Sequence, residues 1–243
     1  MYSKSTFSLL LVSQLFFIGS SLPHRSVRQI EANEDWENSD ILAGESEEGM
    51  TMLQGLRQDV KNKGCGINLC FVMDGSDAVG DTEFTFQKNF IDIVMAITST
   101  DRPGTYCAVQ YHSSFSEITP LIDDREEFLR KVHDAKKLSG EGNITPGLRY
   151  AITQMVKQRR AANKIVLFSR KKPFISRALP SVLLRFFNLD GAICAVALNP
   201  HNRLRLIQNV TGDPNLVFPR DSFFEVSEVI YDLVYNLCEM TEN

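Results

Sequence analysis

Short apolar runs alternate with amphipathic segments along the chain from residue 65 to residue 238. The first apolar run, Ile67 to Met73, is followed directly by Asp74, Gly75 and Ser76. Such a run is typical of a strand buried on both faces of a parallel sheet, and its polar end predicts the edge at which ligands bind. Further strand-like runs follow at residues 106–112, 117–122, 164–168, 191–198 and 216–218.

Segments with a helical period separate these runs. A weak one covers residues 50–61, and stronger ones begin near residues 81, 124, 146, 177, 203 and 222. Strands separated by helices predict an α/β fold. We expect a doubly wound, mostly parallel six-stranded sheet with helices on both faces and one antiparallel edge strand.

The first 62 residues differ from the rest of the chain. Lys4, the apolar run from Phe7 to Ile18 and the small residues after it form the three parts of a secretory signal. Residues 1–20 are therefore predicted to be a signal peptide. The run is shorter than the roughly 20 residues that span a bilayer, so we expect no membrane span and a secreted, extracellular protein.

Residues 21–62 are rich in Asp and Glu and poor in apolar clusters, which predicts an acidic disordered tail or linker. The alternative is a segment that attracts a partner or cations. The folded domain is expected over residues 63–240. The 243-residue chain has a net charge of -4 and scattered basic residues, which argues against nucleic acid as a partner.

The five cysteines suit an oxidising compartment without implying a disulfide framework. Cys70, Cys107 and Cys194 lie inside strand-like runs and are predicted to be buried thiols. Cys65 and Cys238 flank the apolar part of the chain, one before the first strand and one in the last helix. We predict that these two form a disulfide.

Four separate stretches together resemble the von Willebrand factor A-type domain, the extracellular module of matrilins, collagen VI-like chains and integrin I domains. They are Leu69 to Ser76, Val109 to Tyr111, Lys164 to Ser169 and Leu204 to Phe218. The resemblance covers about Cys65 to Cys238, and cysteines that flank the domain are common in the family's matrix members.

The resemblance implies a divalent-cation site built from Asp-x-Ser-x-Ser, a threonine in a Gly-rich loop and an aspartate after the fourth strand. Asp74 and Ser76 match the first two positions, but Ala78 replaces the second serine. In the Gly-rich loop the spacing places Gly142 or Asn143 where the threonine is expected. Thr145 then falls on the family's following threonine.

The largest departure is Arg170, which stands where the family has the aspartate. A fixed positive charge repels a dication, so we predict a degenerate site without a metal or other cofactor. Arg170 is expected to pair with Asp74 instead. Asp77, which is outside the usual pattern, leaves an altered Mg²⁺ site as the alternative.

Two Asn-x-Thr sequons, at Asn143 and Asn209, predict N-glycosylation in a secreted chain, and unused sequons are the alternative. A glycan on Asn143 would crowd the face that relatives use to engage partners. Glycosylation there and metal-dependent adhesion are therefore poorly compatible.

No enzyme motif occurs: Gly-x-Ser-x-Gly, His-Glu-x-x-His, a phosphate loop and the dinucleotide glycine fingerprint are all missing, and the four histidines are scattered. The sequence therefore favours a non-enzymatic binding or extracellular-matrix protein. The alternatives are a secreted effector or toxin-like protein that engages a host protein, and a hydrolase that reuses Asp74, Ser76 and Arg170.

By resemblance, the binding surface consists of the loops at residues 75–80, 113–116, 139–145 and 169–174. The last loop contains Arg170, Lys171 and Lys172, a basic cluster suited to an acidic partner or a sulfated glycan. A cluster that is only solvated is the alternative. The expected partner is an extracellular protein such as collagen or another matrix component.

Overall fold

The computed structural model describes residues 47–98, 104–158, 162–169, 174–198, 204–220 and 226–238. The predicted signal peptide and residues 21–46 of the acidic segment lie outside the described residues. So does the basic cluster Arg170, Lys171 and Lys172.

Six strands form one sheet in the order β3-β2-β1-β4-β5-β6. The strands are β1 (Ile67–Asp74), β2 (Thr105–Tyr111), β3 (Phe115–Ile122), β4 (Ala162–Ser169), β5 (Ala192–Leu198) and β6 (Val217–Arg220). Neighbours pair in parallel except for β2 and β3, which are antiparallel. The predicted fold class is therefore confirmed, including the antiparallel strand at the edge.

Seven described helices cover both faces of the sheet. They are α1 (Glu47–Lys63), α2 (Asp81–Thr98), α3 (Arg125–Asp134), α4 (Ile144–Met155), α5 (Leu179–Phe187), α6 (Leu204–Thr211) and α7 (Val226–Leu237). Helices α1, α2, α3 and α7 contribute to the apolar core on one face. Helices α4, α5 and α6 contribute to the core on the other face.

Helix α1 is longer than the helix expected at residues 50–61. Its buried side chains include Leu53, Leu56 and Val60, and the helix packs against α2 and α7. An apolar stripe of α1 is therefore buried against these helices, and the domain boundary at residue 63 stays a prediction. No helix among the described residues is long and apolar enough to cross a lipid bilayer.

The structure contains the predicted disulfide between Cys65 and Cys238, with the Cα atoms 5.1 Å apart. The prediction that Cys70 and Cys107 are thiols is wrong, because these two residues also form a disulfide. They lie directly opposite each other in the parallel pairing of β1 and β2. Cys194 is the free cysteine and is buried, and burial raises the pKa of its thiol to about 12.

Candidate functional site

The candidate site lies at the upper edge of the sheet, which we define as the carboxyl ends of the parallel strands. Asp74 is the last residue of β1 and is only 3% exposed. Its Oδ1 accepts hydrogen bonds from the backbone N of Ser76 at 3.0 Å and from Ser76 Oγ at 2.6 Å. The Asp74 and Ser76 side chains that the sequence singles out therefore meet, and each partners the other.

Helix α2 fixes the backbone of Asp74 through Gln87. The Gln87 side chain accepts from Asp74 N at 2.8 Å and donates to Asp74 O at 3.0 Å. Gln87 is fully buried. This contact was not predicted, although a glutamine on the apolar stripe of α2, between Phe84 and Ile91, is the signal that could have found it.

A second glutamine, Gln110 of β2, passes close to the turn after Asp74. Its side chain donates to Lys136 O and accepts from Leu138 N, both at 2.9 Å. A Cβ atom on Gly75 would lie 2.0 Å from Gln110 Oε1. Gly75 is therefore required for this close approach, a reason that the sequence alone does not reveal.

The phenol of Tyr111 lies beneath the same edge. Its hydroxyl donates to Phe168 O at 3.0 Å and joins the end of β2 to the end of β4. Burial and then the nearby Asp74 carboxylate raise the pKa of Tyr111 well above its ordinary value, against the effect of a hydrogen bond with Ser169. The phenol therefore stays protonated and acts as a neutral donor.

The segment from Ala135 to Asn143, which we call the strap, connects α3 to α4 over this edge. Gly140 O accepts from Asp77 N at 3.0 Å, and Ser113 Oγ accepts from Glu141 N at 2.9 Å. Gly140 has a φ of +123°, which favours glycine. The Asp77 residue is exposed, whereas Asp74 is buried.

Within the strap, Gly142 rather than Asn143 lies against the Asp74–Ser76 pair. A Cβ atom on Gly142 would be 3.3 Å from Ser76 Oγ, so the residue facing this serine has no side-chain oxygen to offer. Asn143 instead caps α4, because its Oδ1 accepts from Thr145 N at 3.1 Å. This cap is why α4 begins at Ile144 and not at Pro146 as expected.

Thr145 is also engaged elsewhere. Its Oγ1 accepts from Ser176 N at 2.8 Å, and the residue is 4% exposed. The other sequon residue, Asn209, lies on the exposed face of α6, whereas Asn143 is half-buried. Glycosylation at either position stays a prediction.

The described residues fit a divalent cation poorly. A hard cation of this kind takes six or more oxygen ligands, and the matched positions supply the oxygens of Asp74 and Ser76, which already bond to each other. Ala78 and Gly142 offer no side-chain oxygen. Arg170 lies outside the described residues, so its pairing with Asp74 stays a prediction.

A nucleophile with a base is not formed at this edge by the described residues. Ser76 is 1% exposed and donates to Asp74, and no described histidine bonds to it. His133 pairs instead with Asp92 on α2. The arrangement suits a rigid support for surface loops better than acid–base chemistry.

Comparisons with known proteins agree with this architecture. The sequence model of the von Willebrand factor type A domain matches residues 68–231. The chain is 21% identical over 193 residues to cochlin from Bos taurus and to cochlin from Homo sapiens. The match covers 73% of this chain but 35% of each cochlin, so the chain spans about a third of their length.

Solved structures of proximal thread matrix protein 1 from the mussel byssus share the fold. One has a TM-score of 0.64 at 16% identity and covers 72% of this chain and 47% of its own. Another, described as having a zinc occupied MIDAS motif, has a TM-score of 0.62 at 14% identity over 71% of this chain and 46% of its own.

Proposed function

Because this chain belongs to the von Willebrand factor type A domain family, we propose that it is a secreted, non-enzymatic binding protein of an extracellular matrix. The observation that carries the proposal is the buried, mutually bonded pair of Asp74 and Ser76 beneath ordered loops. At this edge the loops are available to contact a partner, while the Asp74 carboxylate and the Ser76 hydroxyl stay buried. The likeness to a byssus matrix protein supports a role in a matrix.

Binding is proposed to proceed without a metal ion. Support comes from Ala78 and Gly142, which lack the oxygens the family supplies, and from Arg170 in the place of an aspartate. A zinc occupied MIDAS motif belongs to the mussel protein. Retained Mg²⁺ binding through Asp74, Ser76 and Asp77 is the alternative.

The proposed contact surface is formed by the loops of the upper edge. In sequence, Arg170, Lys171 and Lys172 follow β4 directly, and they suit an acidic stretch of a matrix protein or a sulfated glycan. We expect a matrix component such as collagen as the protein partner. We also propose that residues 1–20 direct secretion. Asn143 and Asn209 are proposed to carry N-linked glycans.

The test measures binding of the secreted chain to immobilised collagen, other matrix proteins and heparin. We expect binding that is equal in chelator and in Mg²⁺. Changing Arg170, Lys171 and Lys172 together to Gln should weaken binding at least tenfold, because each exposed cation contributes to electrostatic attraction.

The matched control changes three exposed cations elsewhere, Lys61, Lys63 and Arg205, to Gln. This variant has the same net charge as the first and should bind like the wild type. Loss of binding in chelator would contradict metal independence, and equal losses in the two variants would contradict the assigned surface.

A further inference from the structure

The strap is held along its length by side chains and backbone from other elements. Gln110 binds it at Lys136 and Leu138, Ser113 binds it at Glu141, and His112 O accepts from Asn143 N at 2.9 Å. All of these hydrogen bonds are made by uncharged groups. The beginning of the strap, where α3 ends, is instead bound by a charged side chain.

Lys88 of α2 holds the start of the strap. Its Nζ donates to His133 O at 2.7 Å and to Ala135 O, two carbonyl oxygens at the C-terminal end of α3. Carbonyls at a helix end lack intrahelical donors and carry partial negative charge, so an ammonium group suits them. Lys88 also lies over the Phe84 ring at 5.4 Å.

Asp92 lies one turn after Lys88 on α2 and takes a different partner. Both of its carboxylate oxygens approach His133 Nε2, at 2.8 and 3.0 Å. Residues four apart on a helix are neighbours, so Asp92 is also within the normal reach of Lys88. Three cations therefore lie near the Asp92 carboxylate: His133 and Arg125 on α3, and Lys88 on α2. Arg125 keeps its charge over the pH range in which His133 titrates, so its attraction for Asp92 is constant.

We propose that the proton on His133 decides whether Lys88 holds the strap. When His133 is protonated, it satisfies Asp92, and Lys88 stays on the carbonyls of His133 and Ala135. When His133 loses its proton, Asp92 draws Lys88 along α2, and the start of the strap is released. The proposal goes beyond partner binding and adds a pH-sensitive latch at the candidate site.

The charged groups around His133 agree with this direction. The hydrogen bond to Asp92 raises the pKa of His133 above its ordinary value, against the effects of burial and of Lys88, while Asp134 adds to the rise. Burial lowers the pKa of Lys88, against the attraction of Asp134 and Asp92. The latch is therefore held at lower pH and weakens as the pH rises through the folded-state pKa of His133.

Hydrogen–deuterium exchange of the strap tests the latch in the full secreted chain at low salt, where exposed charges are least screened. Protection of residues 135–143, corrected for the intrinsic exchange rate, is compared at pH 5.5 and pH 8.5. We expect lower protection at pH 8.5, by up to about tenfold for each unit by which pairing raises the pKa of His133.

Three variants distinguish this mechanism from a pH-dependent loss of stability in the whole domain. His133→Gln removes the cation on α3 that hydrogen-bonds to Asp92, so protection should be low at both pH values. Lys88→Met removes the donor and should have the same effect. Asp92→Asn removes the carboxylate that draws Lys88 away, so protection should be high at both.

His112→Gln is the matched control, since it removes a histidine near the other end of the strap and should keep the wild-type response. Protection of the buried strand β1 reports whether each variant is folded. Equal strap protection of the wild type at both pH values would overturn the proposal, as would a pH response that persists in His133→Gln or Asp92→Asn. Neither readout depends on a binding partner.

Discussion

The two ends of the central strands bury polar groups in different ways. At the lower end, Asn68 of β1 donates to Asn163 Oδ1 at 3.0 Å and accepts from Thr105 Oγ1 at 2.6 Å. These three residues are register neighbours across β2, β1 and β4. The ladder is neutral, and Asn163 Nδ2 extends it beyond the sheet to Gln158 O at 3.3 Å.

At the upper end, the buried group is the Asp74 carboxylate, and its supports come from outside the sheet as well as within it. Gln87 of α2 bonds to the backbone N and O of Asp74, and Gly142 of the strap lies against Ser76 Oγ, which donates to the carboxylate. The two ends therefore differ in which elements supply the partners of the buried polar groups. The side-chain ladder at the lower end follows mainly from strand register, whereas the supports of Asp74 at the upper end require helix α2 and the strap to be placed together.

The largest expected effect concerns the disulfide at the lower end. Changing Cys65 and Cys238 together to Ala opens a link between residues 173 positions apart. The free energy of unfolding should fall by about 5 kcal/mol in the chain-entropy model, and strap exchange should rise with the rest of the fold. Denaturant unfolding measures this loss.

The control for this change is Cys194→Ala, which removes the free buried thiol and should lower stability by about 1 kcal/mol. Removing the Cys70–Cys107 link, which joins residues 37 positions apart, should have an intermediate effect of about 4 kcal/mol. If the double variant of Cys65 and Cys238 is as stable as the wild type, the disulfide does not contribute to the free energy of unfolding and packing alone holds this end together.

The second prediction compares the two ends directly. Gln87→Leu leaves the backbone N and O of Asp74 without these partners in a fully buried place, and it should lower the free energy of unfolding by about 2 to 4 kcal/mol. Asn68→Leu breaks the ladder at the lower end and should lower the free energy of unfolding by about 1 to 2 kcal/mol, because the side chains of Thr105 and Asn163 that lose a partner can turn toward other groups, whereas the backbone of Asp74 cannot.

Thermal or denaturant unfolding of both leucine variants decides this prediction. The order of the two losses is the sensitive readout, since both substitutions replace a buried amide by a similar apolar side chain. If Asn68→Leu is the more damaging, the distinction between a lower-end ladder set mainly by strand register and an upper end supported by α2 and the strap is wrong.

The last prediction concerns a single methyl group added at the upper end. Gly75→Ala places a Cβ 2.0 Å from Gln110 Oε1, so Gln110 must give up its two bonds to the strap. Stability should fall by about 2 to 3 kcal/mol, and strap exchange should rise. Circular dichroism melts and exchange at Leu138 measure both changes.

Gly55→Ala is the control, because a Cβ at this exposed position in α1 meets nothing within 4 Å. It should raise stability by roughly 0.5 to 1 kcal/mol through helix propensity. A Gly75→Ala variant as stable as the wild type would mean that Gln110 moves freely and does not hold the strap.

Much of the fold could be predicted from the sequence, because burial on both faces leaves a continuous apolar run for each central strand. The run Ile67 to Met73 predicts β1, and the polar residues after it predict the upper edge. The Asp74–Ser76 pair follows from the same local pattern, since the two residues are close in sequence. Helix α4 starts before the expected Pro146 because the Asn143 side chain caps it, and a cap of this kind leaves no apolar pattern in the sequence.

The less predictable features connect residues far apart in the chain. The Cys70–Cys107 disulfide depends on the register of two parallel strands, which apolar runs do not specify. The bonds of Gln87 to Asp74, and of Gln110 to the strap, depend on how a helix and a loop settle on the sheet. Neither glutamine belongs to a motif.

By itself, the sequence determined the order of strands and helices, the position of the carboxylate at the end of β1 and the missing oxygen at Ala78, but it left open whether Gly142 or Asn143 faces Ser76. These features are local, since they follow from residue type and spacing. Only the tertiary structure decided that Asp74 is held by Gln87 and that Lys88 and Asp92 meet the end of α3. Hydrogen bonds and ion pairs act over a few ångströms in space, and packing alone brings distant residues within that range.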